Sequence, residues 1–275
     1  MTMDKPISVI IPVHNAPKEL KACIASLEAT ARGIYELILV DNASSPATRR
    51  YIASIKSAKK IRNSSNLGFA KAVNQGIKKA SGRYVAIVNS DIVFFPGGLQ
   101  GLAACLDMNP SAGAVGPFTN RTSGIQIMDI RNRKPLHPGK LKIYSQALRL
   151  KFADLSQEVH RLTGFCLMLR RQACESVGLL DERFGIGCYE DLDYCLRLRQ
   201  AGWKLRVARD VLVWHREHSS FKSRGDLHAL VLKNREVFVD KWCRKALEFL
   251  DEIDSNLKTP APRFRRRKRR LCRKR

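Results

Sequence analysis

Polar side chains stand at the ends of three apolar, β-rich stretches, where a ligand could reach them. They are His14-Asn15, Asp41-Asn42 and Asn89-Ser90-Asp91. In a parallel α/β sheet, ligands bind beyond the carboxyl ends of the strands, so these residues are the first candidates for a binding site. The carboxylate of Asp91 could hold a hard divalent cation between phosphate groups. Taken alone the turn is weak evidence, because Asn, Ser and Asp are common turn residues.

A second acidic cluster, Glu190, Asp191 and Asp193, opens a segment with helical periodicity. Acids in the first turn of a helix stabilise the helix dipole without any catalytic role. Asp193 also faces Arg197 one turn later, which favours a structural ion pair. The residues by themselves therefore leave this cluster either structural or catalytic.

Strands that alternate with helices must position these groups. This alternation predicts an α/β fold, with a mostly parallel sheet covered by helices on both faces. The first predicted strands lie at 7–13, 36–40, 83–88 and 114–115, and the helices between them lie at 17–30, 45–56 and 68–79.

Beyond residue 120 the pattern weakens and then returns. The polar, basic region 120–157 has no clear periodicity and is predicted as a loop or a partly ordered insertion. Strands are predicted again at 163–170 and 204–214, with a helix at 190–201 between them. A broad apolar stripe then predicts a C-terminal helix at 226–253.

Charge is unevenly placed along the chain. The formal net charge is +25, and the segment 258–275 holds eleven Lys or Arg and no acid. A hydrophobic content of 44% with 27% charged residues is otherwise typical of a folded globular protein. The basic tail favours anionic partners such as acidic lipids, lipid-linked diphosphates or nucleic acid, or it is a solvated appendage.

The cysteines and the hydropathy of the chain indicate the cellular compartment in which the protein is expected. The eight cysteines contain no C-x-x-C pair, so we expect reduced structural thiols in a cytoplasmic protein. The apolar run 7–13 is too short to span a bilayer and lacks the flanks of a signal peptide. Any membrane contact is expected to be peripheral, on the inner face of the cell membrane.

Two nucleotide-binding classes are disfavoured by the segment at the end of the first strand. The segment Pro12-Val13-His14-Asn15-Ala16 contains no G-x-G-x-x-G to cradle a pyrophosphate, which argues against a dehydrogenase. It also contains no Gly-rich loop with a Lys or Arg, which argues against nucleotidyl transfer.

Seven short motifs succeed one another over residues 7–221, and their order is more specific than any one of them. Together they resemble family 2 glycosyltransferases, in particular the subgroup of rhamnosyltransferase-like enzymes of cell-surface polysaccharides. The motifs are I-S-V-I-I-P-V-H-N at 7–15, L-I-L-V-D-N-A-S at 37–44, N-L-G-F-A-K-A-V-N-Q-G at 66–76, N-S-D at 89–91, T-G-F-C-L-M-L-R-R at 163–171, E-D-L-D-Y-C-L-R-L-R-Q-A-G-W at 190–203 and V-W-H at 213–215.

The resemblance implies a GT-A fold, in which one sheet binds the nucleotide and the second half of the chain builds the acceptor site. Residues 1–225 would form the catalytic domain, followed by an amphipathic helical segment at 226–257 and the basic tail at 258–275. The residues implied to line the nucleotide-sugar site are Pro12, Asn15, Asp41, Asn42, Asn66, Gly68, Asn74, Asn89, Ser90 and Gly164.

The resemblance also implies a divalent metal, Mn²⁺ or Mg²⁺, as cofactor. Asn89-Ser90-Asp91 matches the D-x-D-like motif of the family, with Asp91 as the metal-holding residue and Asn in place of the first Asp. His215 matches the second metal ligand, although a His at a strand end can also be a simple cap. His218, three residues further on, is interpreted as a bystander.

The Glu190-Asp191 pair matches the catalytic element of the family. Inverting transfer needs a carboxylate to take a proton from the acceptor hydroxyl, so Asp191 is predicted as the base and Glu190 as its neighbour or an acceptor ligand. Gly164 lies in the small-residue strand that the family places beneath the donor sugar, and it is equally explained as a core residue.

The sequence thus predicts an inverting glycosyltransferase that moves a sugar from a UDP- or dTDP-linked donor to a glycan or lipid-linked acceptor. The basic tail would adsorb to an anionic membrane beside that acceptor. The alternatives are a nucleic-acid-binding protein and a catalytically silent module that binds sugar nucleotides. Nucleic-acid binding is disfavoured because the basic residues lack interleaved aromatics and no nucleic-acid-binding motif is present.

Overall fold

A computed structural model describes residues 6–122, 124–128, 138–216, 224–243, 245, 246 and 249. These residues form an α/β layer structure around one mixed sheet. Its strands are β1 (Ile7–Val13), β2 (Tyr35–Asn42), β3 (Ala58–Asn63), β4 (Tyr84–Val88), β5 (Ile92–Phe94), β6 (Ala112–Thr119), β7 (Ser156–Val159), β8 (Cys166–Arg170) and β9 (Lys204–His215). The helices are α1 (Pro17–Ala31), α2 (Pro46–Ser54), α3 (Phe69–Lys79), α4 (Gly98–Met108), α5 (Pro138–Phe152), α6 (Arg171–Val177), α7 (Glu190–Gln200) and α8 (Arg224–Trp242), with a 3₁₀ turn at Glu182–Phe184.

The sheet has the strand order β3-β2-β1-β4-β8-β6-β9-β5, and β7 pairs with β9 outside that path. β1 to β4 run parallel, β8 runs antiparallel between β4 and β6, and β6 pairs in parallel with β9. The carboxyl ends of β1, β2, β4, β6 and β9 therefore meet at one edge, together with the start of β8. That edge positions the candidate site.

Helices cover both faces of the sheet, as the sequence pattern predicts. Along β1, Val9 and Ile11 belong to a core shared with α1, α2 and α4, whereas Ile10 between them belongs to a core shared with α3, α6 and α7. Side chains that alternate between two buried faces explain why the strand is apolar at nearly every position. The predicted α/β class with a mostly parallel sheet is confirmed.

The region 120–157, predicted as a loop or a partly ordered insertion, is ordered in its second half, which forms α5 and part of β7, so the loop alternative is wrong there. The helix buries Leu141 and Ser145 and half-buries Leu148 and Phe152, one row at helical spacing. The helical repeat of apolar residues cannot be recognised in this sequence, because a serine occupies a core position and apolar residues also lie on the solvent-exposed side. Residues 129–137, which belong to the same predicted region, lie outside the described part of the chain.

The strand β3 is absent from the sequence-based prediction because it lies at the edge of the sheet. Lys59, Lys60 and Arg62 are exposed along it, so it lacks the apolar pattern of a buried strand. Edge strands commonly carry lysine, which prevents further pairing.

The C-terminal helix α8 begins at Arg224, so the predicted boundary between 225 and 226 lies inside it. Phe238 and Val239 pack with Leu192 and Leu196 of α7, which joins this helix to the domain. The basic tail at 258–275 and His218 lie outside the described residues. None of the described helices is long and apolar enough to cross a bilayer.

Candidate active site

The centre of the site is the junction between β4 and β8. Val88, the last residue of β4, pairs with Cys166, the first residue of β8. One step further, the amide of Asn89 donates a hydrogen bond of 2.9 Å to the carbonyl of Phe165. The Asn89-Ser90-Asp91 turn therefore lies beside the segment Gly164-Phe165, although the two are far apart in sequence.

Asp91 and His215 lie side by side at the same edge. β5 pairs with the end of β9 so that Ile92 faces His215, and the amide of Arg216 donates to the carbonyl of Asp91 at 3.0 Å. This pairing leaves His215 Nε2 3.4 Å from Asp91 Oδ1, with both side chains largely buried. The sequence-predicted metal ligands are thus brought together by a three-residue strand.

The protonation of the His215 ring is fixed on one side. Its Nδ1 lies 3.0 Å from the carbonyl oxygen of Arg121, and a carbonyl can only accept, so Nδ1 carries a proton and donates. In the neutral ring, Nε2 then presents a lone pair toward the Asp91 carboxylate. Two electron-rich atoms facing each other at 3.4 Å favour a cation between or beside them, or a proton on Nε2.

The donor set fits a divalent metal that is shared with a substrate. Among the described residues, no group of three His, Cys, Asp or Glu is arranged to hold a metal ion. A carboxylate and an imidazole supply two ligands, and Mg²⁺ or Mn²⁺ at nucleotide sites commonly takes the remaining ligands from phosphates and water. The hydrogen bond from His215 to the Arg121 carbonyl orients the ring, as is usual for metal-binding histidines.

The two candidate catalytic carboxylates stand at the start of α7. Asp191 Oδ2 accepts a hydrogen bond of 2.9 Å from the amide of Gly164, and Oδ1 accepts one of 2.8 Å from the amide of Leu192. Asp191 stays partly exposed, whereas Glu190 is buried and its Oε2 has no hydrogen-bond partner among the described residues. Asp191 is therefore the more accessible of the two.

Burial disfavours the charged form of both carboxylates. Burial, and next the charge of Asp191, raise the pKa of Glu190 from 4.5 to about 8. Burial also raises the pKa of Asp191, while the backbone amides of Gly164 and Leu192 act in the opposite direction. A carboxyl that keeps its proton into the neutral range beside an ionisable neighbour is typical of acid–base sites.

Gly164 and Phe165 connect the two halves of the site. Gly164 donates to Asp191, and the ring of the next residue, Phe165, stacks on the imidazole of His215 with 5.4 Å between centroids. The carboxylate on α7 and the Asp91–His215 pair are therefore held by two consecutive residues. A methyl group at Gly164 would meet the side chain of Asp191 at an ordinary 3.5 Å, so protein packing alone does not demand glycine there.

The loops after β1 and β2 form the opposite wall of the edge. The side chain of Asn15 accepts a hydrogen bond from the amide of Ser45 at 2.8 Å, and its own backbone amide donates to Ser44 Oγ at 3.0 Å. Asp41 is buried and accepts from the amide of Ser44 at 2.9 Å. Pro12, half-buried, precedes this loop on β1. These contacts fix the two strand ends against each other.

A network of side-chain amides lies below that wall. Asn42 Nδ2 donates to Asn66 Oδ1 at 2.7 Å, and Asn42 Oδ1 accepts from Asn63 at 3.1 Å. Asn63 is bonded in turn to Gln75 in both directions at 2.9 Å. The predicted residues Asn42 and Asn66 are thus parts of one rigid group rather than separate contacts.

Gly68 lies where the donor side meets the loop that leads to Glu190. Its φ is +87°, and a Cβ there would lie 2.1 Å from the carbonyl oxygen of Gly185. The amide of the next residue, Phe69, donates to that same oxygen at 3.1 Å. Glycine is required at this position by both conformation and space.

Asn74 is the predicted residue that stands apart from the edge. It is buried, and its side chain exchanges two hydrogen bonds of 2.9 Å with the backbone of Leu180. A further bond of 3.1 Å joins it to Glu182. It fixes α3 to the segment before α7, which gives it a scaffold position.

Several residues of the site carry no strong sequence signal. Ser44 follows the predicted second strand, and that position could have identified it. Asn63 ends β3, which has no apolar pattern, so its position could not be read from the sequence. Asn120 exchanges hydrogen bonds with the backbone of His215 at 2.8 and 3.1 Å, and Phe165 stacks on its ring. Phe165 lies in the 163–171 motif, but only the pairing of β8 with β6 and of β6 with β9 shows that Phe165 and Asn120 contact His215.

A hollow of about 440 Å³ lies beside Asp41, between α2 and β3. Its lining combines four cationic side chains with apolar ones that include Ile52 and Ile61. Such a lining suits an anionic or polar ligand with a flat apolar face. The cationic residues are Arg49, Arg50, Lys60 and Arg62.

Comparison with known proteins identifies the family and the fold type. Residues 8–178 match the family model described as glycosyl transferase family 2, so the chain belongs to glycosyltransferase family 2. The structure is of the GT-A type. It superposes on GalNAc-T7, solved with UDP, GalNAc and Mn²⁺, with a TM-score of 0.64 and 17% identity over 98% of this chain and 54% of that one.

Two curated relatives extend along most of the chain. The N-acetylglucosaminyl-diphospho-decaprenol L-rhamnosyltransferase of Mycobacterium tuberculosis is 25% identical over 271 residues, which cover 88% of each protein. An uncharacterized protein of Sinorhizobium fredii, y4gI, is 28% identical over 261 residues. That match covers 89% of this chain but only 28% of the length of y4gI.

Proposed function

We propose that this protein is a metal-dependent, inverting glycosyltransferase. It takes a sugar from a UDP- or dTDP-linked donor and transfers it to a hydroxyl of a cell-surface glycan or lipid-linked acceptor. The observation that carries the proposal is the bridge Gly164-Phe165, which holds Asp191 on one side and the Asp91–His215 pair on the other.

Asp191 acts as the general base in this proposal. Its carboxylate takes the proton of the acceptor hydroxyl as the oxygen attacks the anomeric carbon. The bond from that carbon to the diphosphate oxygen breaks on the opposite face, so the configuration inverts and a nucleoside diphosphate leaves. The two backbone amides on Asp191 orient the carboxylate, and its partial exposure gives the acceptor access.

Asp91 and His215 are the residues that would hold the divalent metal. When bound, the ion supplies Lewis-acid neutralisation of the diphosphate charge. Asp91 and His215 would fix the position of that ion at the sheet edge, and the stacked Phe165 keeps the His215 ring in place.

The donor would lie along the ends of β1, β2 and β4. Asp41 stands between the amide network and the cationic hollow, where a base or ribose and its phosphates find a carboxylate and basic side chains together. GalNAc-T7 holds UDP and Mn²⁺ on a related fold, and the rhamnosyltransferase of M. tuberculosis acts on a diphospho-decaprenol acceptor. These relatives support a nucleotide donor and a lipid-linked acceptor.

Thermal shift of the full chain with UDP, dTDP and their sugars, with and without Mn²⁺, tests the donor. We expect stabilisation by UDP or dTDP compounds that grows when Mn²⁺ is present, because a ligand of the native state raises its stability. If no nucleotide or nucleotide sugar raises the melting temperature, or if only oligonucleotides do, the result would contradict the proposal.

Asp191→Asn tests the base with the donor identified in that panel. We expect transfer to fall by at least about 10²-fold while nucleotide affinity stays within about threefold, because the amide cannot take the acceptor proton and it also loses one of the two backbone hydrogen bonds that the Asp191 carboxylate accepts. Glu158→Gln, which alters an exposed carboxylate on β7, is the matched control and should retain activity. NMR of the product would show an inverted anomeric configuration, and retention would overturn the mechanism.

A further inference from the structure

The helix α5 exposes apolar side chains on the face that points away from the protein. Ile143 is 67% exposed and Leu150 is 89% exposed, and with the exposed Ala147 they have the spacing i, i+4, i+7. Residues at this spacing form one continuous row on a helix. A row of this kind normally faces a core.

The core-facing side of α5 is a different row, and it is already covered. Leu141 packs with Phe95 and Leu212 in one buried cluster, which Met128 and Trp214 complete at its margin. The outer row is therefore a second apolar face on the same helix, turned by about half a circle at 3.6 residues per turn.

Basic residues flank the outer row on both sides. At about 100° per residue, Lys140 and Lys151 fall on one side of Leu150, and Lys142 and Arg149 fall on the other. The helix contains no Asp or Glu. An apolar row between two cationic borders is typical of helices that lie in the plane of an anionic lipid surface.

The exposed apolar surface is concentrated in this region. Nine large hydrophobic residues are exposed in the described part of the chain, and six of them lie between residues 125 and 155. The acids near the helix are fewer than its four basic residues: Glu158 is paired with Lys204, and Asp210 and Asp154 lie near Arg149 at the C-terminal end of the helix. The surface thus combines apolar area and net positive charge.

We propose that α5 is a membrane-docking helix that lies in the headgroup region of an anionic bilayer, with Ile143, Ala147 and Leu150 inserted. The proposal deepens the proposed function and rests on it, since docking would present the site to a lipid-linked acceptor. Trp214, the neighbour of His215 on β9, packs in the cluster beneath the inner side of α5, so the helix lies between the site region and the proposed membrane surface. Apolar insertion adds to any attraction that the basic tail provides.

Vesicle binding of the full-length protein tests this surface. The probe is a set of phosphatidylglycerol/phosphatidylcholine vesicles compared with pure phosphatidylcholine, read by co-sedimentation. In Ile143→Lys/Leu150→Lys, two positive charges are gained and two inserted side chains are lost. We expect the partition coefficient on anionic vesicles to fall about tenfold, because lost apolar burial outweighs the added attraction.

Leu232→Lys is the matched control, since Leu232 is 47% exposed on α8. It should bind vesicles as tightly as the wild type or slightly tighter. Equal or tighter binding by the α5 double variant would overturn the proposal and assign adsorption to charge alone. A dimeric wild type that becomes monomeric in the variant, by sedimentation equilibrium, would also overturn it, because a second copy would then cover the row.

Vesicle binding and sugar transfer are measured independently, so either can fail without the other. The vesicles contain neither donor nor acceptor, so sugar transfer does not enter the measurement. The substituted side chains are solvent-exposed, so the double variant should keep its melting temperature and its Mn²⁺-dependent response to nucleotides.

Discussion

The indole Nε1 of Trp242 on α8 donates a hydrogen bond of 2.9 Å to Asp193 Oδ1, which is fully buried on α7. The same oxygen lies 2.6 Å from Lys241 Nζ, and Arg197 binds the other oxygen at 3.0 Å. Asn234, earlier on α8, donates to the carbonyls of the loop residues Phe184, Gly187 and Cys188. The C-terminal helix therefore holds both the loop before Glu190 and the helix that carries Asp191.

Asp193→Ala should destabilise the protein by about 3–5 kcal/mol. Lys241 keeps its contact of 2.7 Å with Asp181, but Arg197 loses its carboxylate partner and the Trp242 N–H loses its acceptor. Breaking a buried ion pair on one side costs about that much. Urea unfolding followed by circular dichroism measures the change. Trp242→Phe removes one hydrogen bond and should cost only about 1–2 kcal/mol.

Lys204→Ala provides the comparison for an exposed ion pair. Lys204 and Glu158 are each about half exposed, so the loss should stay within about 1 kcal/mol. If Asp193→Ala costs no more than Lys204→Ala, the Asp193 cluster does not stabilise the junction between α7 and α8.

Much of the fold can be predicted from local sequence, because the buried strands are nearly continuous apolar runs and α1 to α3 have helical periodicity. The sheet edge that forms the site is also predictable, since parallel strand ends meet at one edge. The pairing of β5 with β9 is not, because three residues such as Ile92–Phe94 have no pattern of their own. Asp193 is the clearest case: the sequence predicts its partner Arg197, four residues away, but not Lys241 or Trp242, which reach it from another helix.

Gly68→Ala should disrupt the contact between the start of α3 and the loop before Glu190. The added methyl group would meet the Gly185 carbonyl at 2.1 Å, and φ is +87°. We expect destabilisation by about 2–4 kcal/mol and weaker nucleotide binding, since both strain and collision contribute. Thermal unfolding and a nucleotide titration measure the two effects.

Gly33→Ala is the matched control for backbone conformation, because Gly33 has φ +89° and no atom within 4 Å of an added Cβ. It should cost only about 1 kcal/mol and leave nucleotide binding unchanged. If the two alanine variants behave alike, the contact with Gly185 has no part in the site.

Glu190 should make stability depend on pH. In the unfolded chain the carboxyl loses its proton near pH 4.5, whereas in the folded protein it keeps the proton to about pH 8. Unfolding therefore releases a proton between these values, and the contribution of Glu190 to stability falls as pH rises, by up to about 1.4 kcal/mol per pH unit. Below pH 4.5 and above pH 8 its contribution is constant.

Glu190→Gln removes this dependence, so the stability of the variant relative to the wild type should increase from about pH 5 to about pH 8. Denaturant midpoints of both proteins across that range measure the difference. Glu158→Gln is the control, because Lys204 lowers the pKa of Glu158 and its titration falls below the window. A constant difference between Glu190→Gln and wild type over the window would show that Glu190 is ionised throughout.

His215 should determine which metal the site prefers. An imidazole nitrogen suits Mn²⁺ better than Mg²⁺, which prefers oxygen ligands, so the wild type should bind UDP or dTDP more tightly with Mn²⁺ than with Mg²⁺. In His215→Ala we expect the Mn²⁺-dependent nucleotide affinity to fall about 10–100-fold and the preference for Mn²⁺ over Mg²⁺ to shrink.

His160→Ala, which removes an exposed histidine beside β7, is the control and should change neither the affinity nor the metal preference. Calorimetric titration of nucleotide in the presence of each metal measures both quantities. An unchanged metal preference in His215→Ala would remove His215 from the proposed metal site. Asp91→Asn would then test Asp91 separately.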